Sequence, residues 1–219
     1  MASSDLRAEL AATAARLIAE EGCEYAQAKR RAVHQVLGEG DRRVKVPDNM
    51  EIERELRRYL KLFGGESHGD LLAARRKFAA EVMQTLQEFD PHLIGALLNG
   101  TATEHSDVNL QLFVDSAKDV ELRLINLGIE FDVEEGGDER PAALERLSFI
   151  LPFVPAAPAT PTTSRTLPIG VRLHIYPRDA IRIAARNRRD LKAEDGMHPI
   201  EAAGRANLAA LQKLIDETR

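Results

Sequence analysis

The sequence has very few of the residues that build cross-linked or membrane proteins. One cysteine, Cys23, occurs in 219 residues, which excludes an internal disulfide framework and a zinc site made of cysteines. Tryptophan is absent, and aromatic residues make up only 5% of the chain. No apolar run approaches the roughly 20 residues that a membrane-spanning helix needs, and the first residues, MASSDLRAEL, lack the apolar core of a signal peptide. These features predict a cytoplasmic protein with no membrane partner.

Two short motifs that mark common enzymes are also missing. The sequence has no G-x-x-x-x-G-K-[ST] motif, which excludes a P-loop ATPase. Its six histidines form no HExxH motif or other close pair, so no zinc site is predicted.

Charge is modest overall but unevenly distributed. A net charge of -5 argues against a protein that coats nucleic acid. Residues 91–135 carry nine acidic and two basic residues, whereas residues 172–192 carry seven basic and two acidic ones. An acidic zone beside a basic zone can hold a metal ion and then a phosphate group. A random distribution of surface charges produces such acidic and basic segments more often than a binding site does.

Apolar residues recur at helical spacing throughout residues 1–90. The pattern predicts one helix that begins after Ser4 and ends at Gly22, and three more over about 24–37, 47–63 and 70–89. Such stripes form hydrophobic core far more often than cofactor contacts. We therefore predict a helical N-terminal region over residues 1–90.

From residue 91 onward the period changes from helical to alternating. In residues 107–115, for example, Val108, Leu110, Leu112 and Val114 alternate with mostly polar residues. We predict strands over 92–98, 107–115, 129–134, 144–153 and 169–176, and helices over 118–127, 178–189 and 199–217. The expected fold is α+β, with the helical region beside a domain over 91–219 in which helices pack on the dry face of a small mixed sheet.

The tract PFVPAAPATPTTSRTLP, residues 152–168, is rich in proline, threonine and alanine. Proline lacks the backbone N–H that a central strand or a helix interior needs. This composition predicts an exposed, mobile loop that joins two paired strands.

The stretch NGTATEHSDVNLQLFVD, residues 99–115, combines a Gly-Thr turn with a Ser-Asp-x-Asn strand. Together with the following helix and the Phe-Asp strand near Asp132, it resembles the minimal nucleotidyltransferase core of the polymerase-β-like superfamily. The resemblance covers about residues 92–134. It implies that Gly100, Thr101 and Ser106 seat phosphate, and that Asp107 and Asp132 hold magnesium.

The family's second carboxylate is replaced by Asn109 in this sequence. Residues two apart on a strand leave the same face, so we predict that Asp107, Asn109 and Asp132 share one face of adjacent strands. An amide oxygen is neutral and binds a hard cation less well than a carboxylate does, and Glu130 is the nearest acid that could compensate. Alternation also places Arg172, His174 and Tyr176 on that polar side if the strands share a sheet. Asp and Asn at the start of a strand also commonly do no more than cap a turn.

Four arginines of the predicted helix 178–189 form one stripe: Arg178, Arg182, Arg186 and Arg189. Such a stripe can hold a triphosphate or an RNA backbone. A solvent-exposed helix face is the more common role of such a stripe, and the sequence leaves both roles possible.

The pattern as a whole predicts a nucleotidyltransferase-like protein that binds a nucleoside triphosphate with magnesium. It would transfer a nucleotidyl group to an acceptor, with RNA and protein as candidates. The alternative is a catalytically inactive binding or regulatory module with the same fold. In the active version, Asp107, Asn109 and Asp132 are the catalytic residues.

Overall fold

The computed structural model describes residues 2–38, 45–134, 143–155, 166–182 and 197–218. Within these ranges the chain forms seven α-helices and one mixed sheet of six strands, which confirms an α+β fold. It divides into two compact units, residues 1–69 with 103–105, and residues 70–102 with 106–219. No helix in the described ranges is both long and apolar enough to cross a membrane.

The first unit is helical, as predicted. Its helices are α1 (Ala2–Glu21), α2 (Tyr25–Leu37) and α3 (Asn49–Phe63). Their buried faces form one core, which includes Leu10, Leu17, Ile52 and Leu56. Helix α3 begins at a capping box, in which Asp48 and Glu51 each accept a hydrogen bond from the other's backbone amide. Glu51 also pairs with Arg7 at 2.7 Å, and this hydrogen bond lowers the pKa of the Glu51 carboxyl group.

The second unit contains the sheet. Its strands are β1 (His92–Ile94), β2 (Val108–Val114), β3 (Asp132–Glu134), β4 (Glu145–Phe153), β5 (Leu167–Pro177) and β6 (Ala206–Asn207). They lie in the order β3-β4-β5-β2-β1-β6. The central pair, β2 and β5, is parallel, and every other pair is antiparallel.

Helices cover the apolar face of this sheet. They are α4 (Gly65–Thr85), the short α5 (Ala96–Asn99), α6 (Ala117–Asn126) and α7 (Leu208–Glu217). Their apolar residues join a single core with the strands, whose members Leu110, Leu112, Leu173 and Ile175 are completely buried. Because Ala79, Val82, Met83 and Leu86 belong to this core, the division between the units falls after Gly69, about twenty residues before the predicted boundary at residue 90.

Two predicted elements are interrupted at glycines that adopt positive φ angles. Gly95, with φ of 74°, ends β1 and starts α5, so the strand predicted over 92–98 is only three residues long. Gly204, with φ of 81°, interrupts the helix predicted over 199–217, which begins only at Leu208. L side chains rarely adopt this conformation. The local turns at these two positions therefore override the apolar pattern.

The proline tract does join two paired strands, but its ends lie inside them. Pro152 and Pro168 face each other in the β4–β5 pair, which extends to Phe153 and Leu167. Among the described residues, positions 167–170 of β5 pair with β4 only, because the pairing of β5 with β2 begins at Val171. Prolines are accepted at such edge positions. Residues 156–165 lie outside the described ranges, as do residues 183–196, which hold most of the helix predicted over 178–189.

Candidate functional site

The face of the sheet opposite the helices carries two rows of polar side chains. Directly paired residues of neighbouring strands point to the same face, so the register defines the rows. The first row, across β2, β5, β4 and β3, consists of Asn109, Arg172, Ser148 and Asp132. The second row consists of Gln111, His174, Arg146 and Glu134. We call these eight residues the polar face.

Asp107 lies at the edge of this face and forms an ion pair with Arg172. The Arg172 Nε is 3.1 Å from the Asp107 Oδ2, and both side chains are partly exposed. Gly170 makes room for this carboxylate, because a Cβ at position 170 would lie only 2.7 Å from the Asp107 Cγ. The first predicted carboxylate is therefore already neutralised by an arginine of the neighbouring strand.

Asn109 follows on the same face, as the alternation predicted. Its Nδ2 donates a hydrogen bond to the carbonyl oxygen of Asp107 at 3.2 Å. Gly95 lies beside it, such that a Cβ at position 95 would be 3.9 Å from the Asn109 Cβ. In this arrangement the Asn109 amide holds the backbone at the start of β2.

The prediction that Asp132 lies on a strand adjacent to β2 is wrong. Strands β4 and β5 separate β3 from β2, which places Asp132 about 14 Å from Asn109 at a strand spacing of about 4.8 Å. Glu130, in the connection before β3, is exposed on the same far side. Asp107, Glu130 and Asp132 therefore do not converge on one metal ion. No group of three or more His, Cys, Asp or Glu residues suited to a metal ion occurs among the residues described.

The Gly-Thr turn is formed, but its donors are occupied. Gly100 caps α5 with φ of 81°, and its amide donates to the carbonyl oxygen of Ala96. The Thr101 amide donates to Ala96 and to the side chain of Asn99, both at 3.0 Å. The Thr101 hydroxyl donates to the same Asn99 oxygen at 2.6 Å, and Thr101 is 1% exposed. The turn thus satisfies these groups internally, and the role of Gly100 and Thr101 in seating phosphate stays a prediction.

Two adjacent arginines of α4 hold this loop in place. Arg76 is buried and donates to the carbonyl oxygens of Leu97 and Leu98 at 2.9 and 3.0 Å. It also pairs with Glu201 at 2.6 Å. Arg75 donates to the carbonyl oxygen of Ser106, the residue before Asp107. Sequence reasoning missed both residues, although their helical spacing places them on the apolar stripe of α4.

Arg178 and Arg182 lie at the opposite end of β2 from Asp107. They line a pocket of about 540 Å³ together with Val114, Asp115, Leu144, Pro177, Asp179 and Ile181. Arg178 pairs with Asp115 at 3.5 Å. Eight residues of extended chain separate residues 107 and 115, a distance of about 26 Å. The predicted phosphate-binding residues thus do not form one site, and Arg186 and Arg189 lie outside the described ranges.

No family model matches this chain, and no curated protein shows significant similarity to it. The resemblance to nucleotidyltransferases therefore depends on the residues themselves.

Proposed function

We propose that the protein is a catalytically inactive module of nucleotidyltransferase-like type, which binds a nucleoside triphosphate without magnesium. The observation that carries the proposal is the ion pair between Asp107 and Arg172. A guanidinium group is permanently charged. The charge that magnesium would supply to Asp107 is thus already provided by the protein.

The chemistry of nucleotidyl transfer explains why this substitution matters. Such transfer depends mainly on positioning and on metal ions that neutralise developing charge between carboxylates and phosphate oxygens. Here one carboxylate faces an arginine, the second is replaced by Asn109, and the third lies on β3, which two other strands separate from β2. A magnesium ion at Asp107 would have to displace Arg172 and remain beside its positive charge.

The second candidate is a magnesium-dependent nucleotidyltransferase that acts on RNA or on a protein. One observation favours it, namely that Asp107 and Asn109 stand two residues apart on one partly exposed face. If a bound nucleotide drew Arg172 onto its phosphates, Asp107 would become available to a cation.

Magnesium titrations of the wild-type protein, Arg172→Gln and Arg178→Gln test the proposal. We expect no magnesium binding by the wild type or by Arg178→Gln, which keep the Asp107 ion pair. Arg172→Gln exposes an uncompensated carboxylate and is expected to bind magnesium weakly. Magnesium binding by the wild type that Asp107→Asn removes would overturn the proposal in favour of the second candidate.

A further inference from the structure

Three large apolar side chains are exposed on α6 and on the neighbouring edge strand. Leu122 and Ile125 on α6 and Val133 on β3 have exposed fractions of 57%, 60% and 57%. Single exposed apolar residues are common on protein surfaces, whereas a contiguous group marks an interaction site. Leu122 and Ile125 are three residues apart, so they are neighbours on the helix surface. Whether the three side chains form one surface depends on the position of Val133.

The register of the sheet places Val133 next to Ile125. Helix α6 returns from the end of β2 to the start of β3, which is parallel to β2, so the helix runs in the same direction as β4. Glu121 on α6 forms a hydrogen bond with Glu145 on β4. One helical turn further, about 6 Å, is Ile125. Two residues further on β4, about 6.6 Å, is Leu147, which pairs directly with Val133. The exposed apolar side chains of α6 and β3 therefore form one surface.

Strand β3 also has an unpaired side. It is the last strand of the sheet, so one side of its backbone has no strand partner within the described ranges. All three of its residues are exposed. Such an edge offers backbone N–H and C=O groups to an extended segment of another chain.

Acidic side chains lie along the same edge. Asp132 and Glu134 point to the polar face, the side of β3 away from the apolar surface. Exposed Glu130 precedes them at the same spacing of two residues. Arg146 lies opposite Glu134 on β4, whereas Asp132 lies opposite the uncharged Ser148. Of the two acids on β3, Asp132 is thus the one without a basic residue directly opposite it in the register.

The charge of this edge limits which partner it can take. Residues 124–139 contain six acidic residues and no basic one. Like charges directly opposite each other on paired strands repel, so the acids oppose pairing of β3 with β3 of a second copy. They also repel the phosphates of a nucleic acid. A basic segment is attracted instead.

We propose that β3 pairs with an extended segment of a partner protein in which basic residues alternate with apolar ones. Successive residues of a strand point to opposite faces. The apolar residues of the segment cover Ile125 and Val133, and its basic residues pair with Asp132 and Glu134. In strand addition of this kind, backbone hydrogen bonds supply affinity and the alternate side chains supply specificity. This docking surface does not depend on the proposed nucleotide binding.

Three eight-residue peptides, titrated against the whole chain, test this surface. One alternates lysine with valine, one alternates glutamate with valine, and one has four lysines followed by four valines. Fluorescence anisotropy of the labelled peptides measures binding. We expect the wild type to bind the lysine–valine peptide at least about tenfold more tightly than either of the others, because only this peptide matches both faces of β3. An excess of this peptide should also slow hydrogen exchange of the β3 amides.

Variants with matched controls locate the binding. Asp132→Lys should weaken binding of the lysine–valine peptide about tenfold, because attraction becomes repulsion. Glu9→Lys changes the net charge equally at an exposed position of α1, and it should bind as the wild type does. Ile125→Lys removes apolar contact and should weaken binding about threefold or more. Leu62→Lys is its control, because Leu62 is 75% exposed on α3.

Asp132→Lys combined with Glu134→Lys should reverse the preference, so that the glutamate–valine peptide binds more tightly. This variant keeps the test decisive if one charge alone has a small effect. Equal binding of the three peptides, no binding of the lysine–valine peptide by the wild type, or equal losses in Glu9→Lys and Asp132→Lys would overturn the inference. A wild-type dimer in analytical ultracentrifugation that Ile125→Lys dissociates would also overturn it, because a second copy would then be the partner.

Discussion

Gly170 determines where the carboxylate of Asp107 lies. A Cβ at position 170 would be 2.7 Å from the Asp107 Cγ, closer than real side chains approach. The glycine therefore permits the contact between Asp107 and Arg172 on which the proposed function depends. Nothing in the sequence identified Gly170, because its role depends on contact with Asp107, which lies 63 residues earlier in the chain.

Gly170→Ala should destabilise the protein by roughly 1–3 kcal/mol, because the added methyl group displaces Asp107. Asp107→Ala combined with Gly170→Ala removes the collision and should recover part of that loss. Gly69→Ala is the control, since nothing lies within 4 Å of the new Cβ on α4, and it should be neutral or stabilising by up to about 1 kcal/mol. Urea unfolding of the four proteins is the measurement. A double variant no more stable than Gly170→Ala would contradict this role.

Glu145 is an acid on the apolar side of the sheet. It pairs with Ile175 in β5, and burial raises the pKa of its carboxyl group, with a further contribution from a hydrogen bond with Glu121. The folded state therefore holds this proton at a pH where the unfolded chain has released it. Stability must fall as the pH rises from the ordinary value of 4.5 towards the raised one.

Glu145→Gln should remove this pH dependence. Relative to the wild type, the variant should gain stability as the pH rises from about 4.5 to neutral, whereas exposed Glu9→Gln should follow the wild type. Thermal melting across this pH range measures the difference. Parallel curves for the wild type and Glu145→Gln would show that the carboxyl group titrates normally in the folded protein.

Long elements with a clear period were predictable, and short ones were not. The helices of the first unit and strands β2, β4 and β5 follow their apolar patterns, because burial of one face stabilises the whole element. Strand β1 and helix α5 are three and four residues long. At that length the positive φ of Gly95 decides the local structure, and apolar residues on both sides of it resemble one continuous strand.

Helix α4 shows how a charged residue can belong to a core. Arg76 is 2% exposed, and it binds two carbonyl oxygens of the α5 region and the carboxylate of Glu201. Its removal leaves a carboxylate and two carbonyl groups without their donor. Such losses cost more than the pair itself contributes.

Arg76→Met should destabilise the second unit by about 3–5 kcal/mol. Adding Glu201→Gln should recover part of this loss, because it removes the uncompensated charge. Arg58→Met, at an exposed position of α3, should change stability by less than about 0.5 kcal/mol. Denaturant unfolding followed by circular dichroism gives these values. A loss below about 1 kcal/mol for Arg76→Met would show that the loop does not depend on Arg76.

The order of the strands was the feature that the sequence could not provide. Alternation correctly placed Asp107, Asn109, Arg172 and His174 on one face, because the period of two fixes the side of each residue. It carries no information about which strand lies next to which. Strand β3 is three residues long and exposed, whereas β5 offers β2 a parallel match of seven residues with a buried apolar face. The longer β2–β5 pairing therefore forms at the centre of the sheet, and β3 with Asp132 lies at its edge.

This strand order changes the expected chemistry of the molecule. The position beside Asn109, where the resemblance implied a carboxylate, holds Arg172. In a magnesium site of this kind, carboxylates on neighbouring strands bind the ion. Here the described neighbour of Asn109 on β5 is a permanently charged arginine instead, and this is the basis of the proposal that the module works without a magnesium ion.

Titration of the wild-type protein with ATP, in magnesium and in EDTA, tests this account most directly. We predict binding in EDTA with an affinity within about threefold of that in magnesium, and no transfer of a nucleotidyl group to RNA or protein in either buffer. Binding that appears only with magnesium and is lost in Asp107→Asn, or release of pyrophosphate with a labelled acceptor, would contradict it.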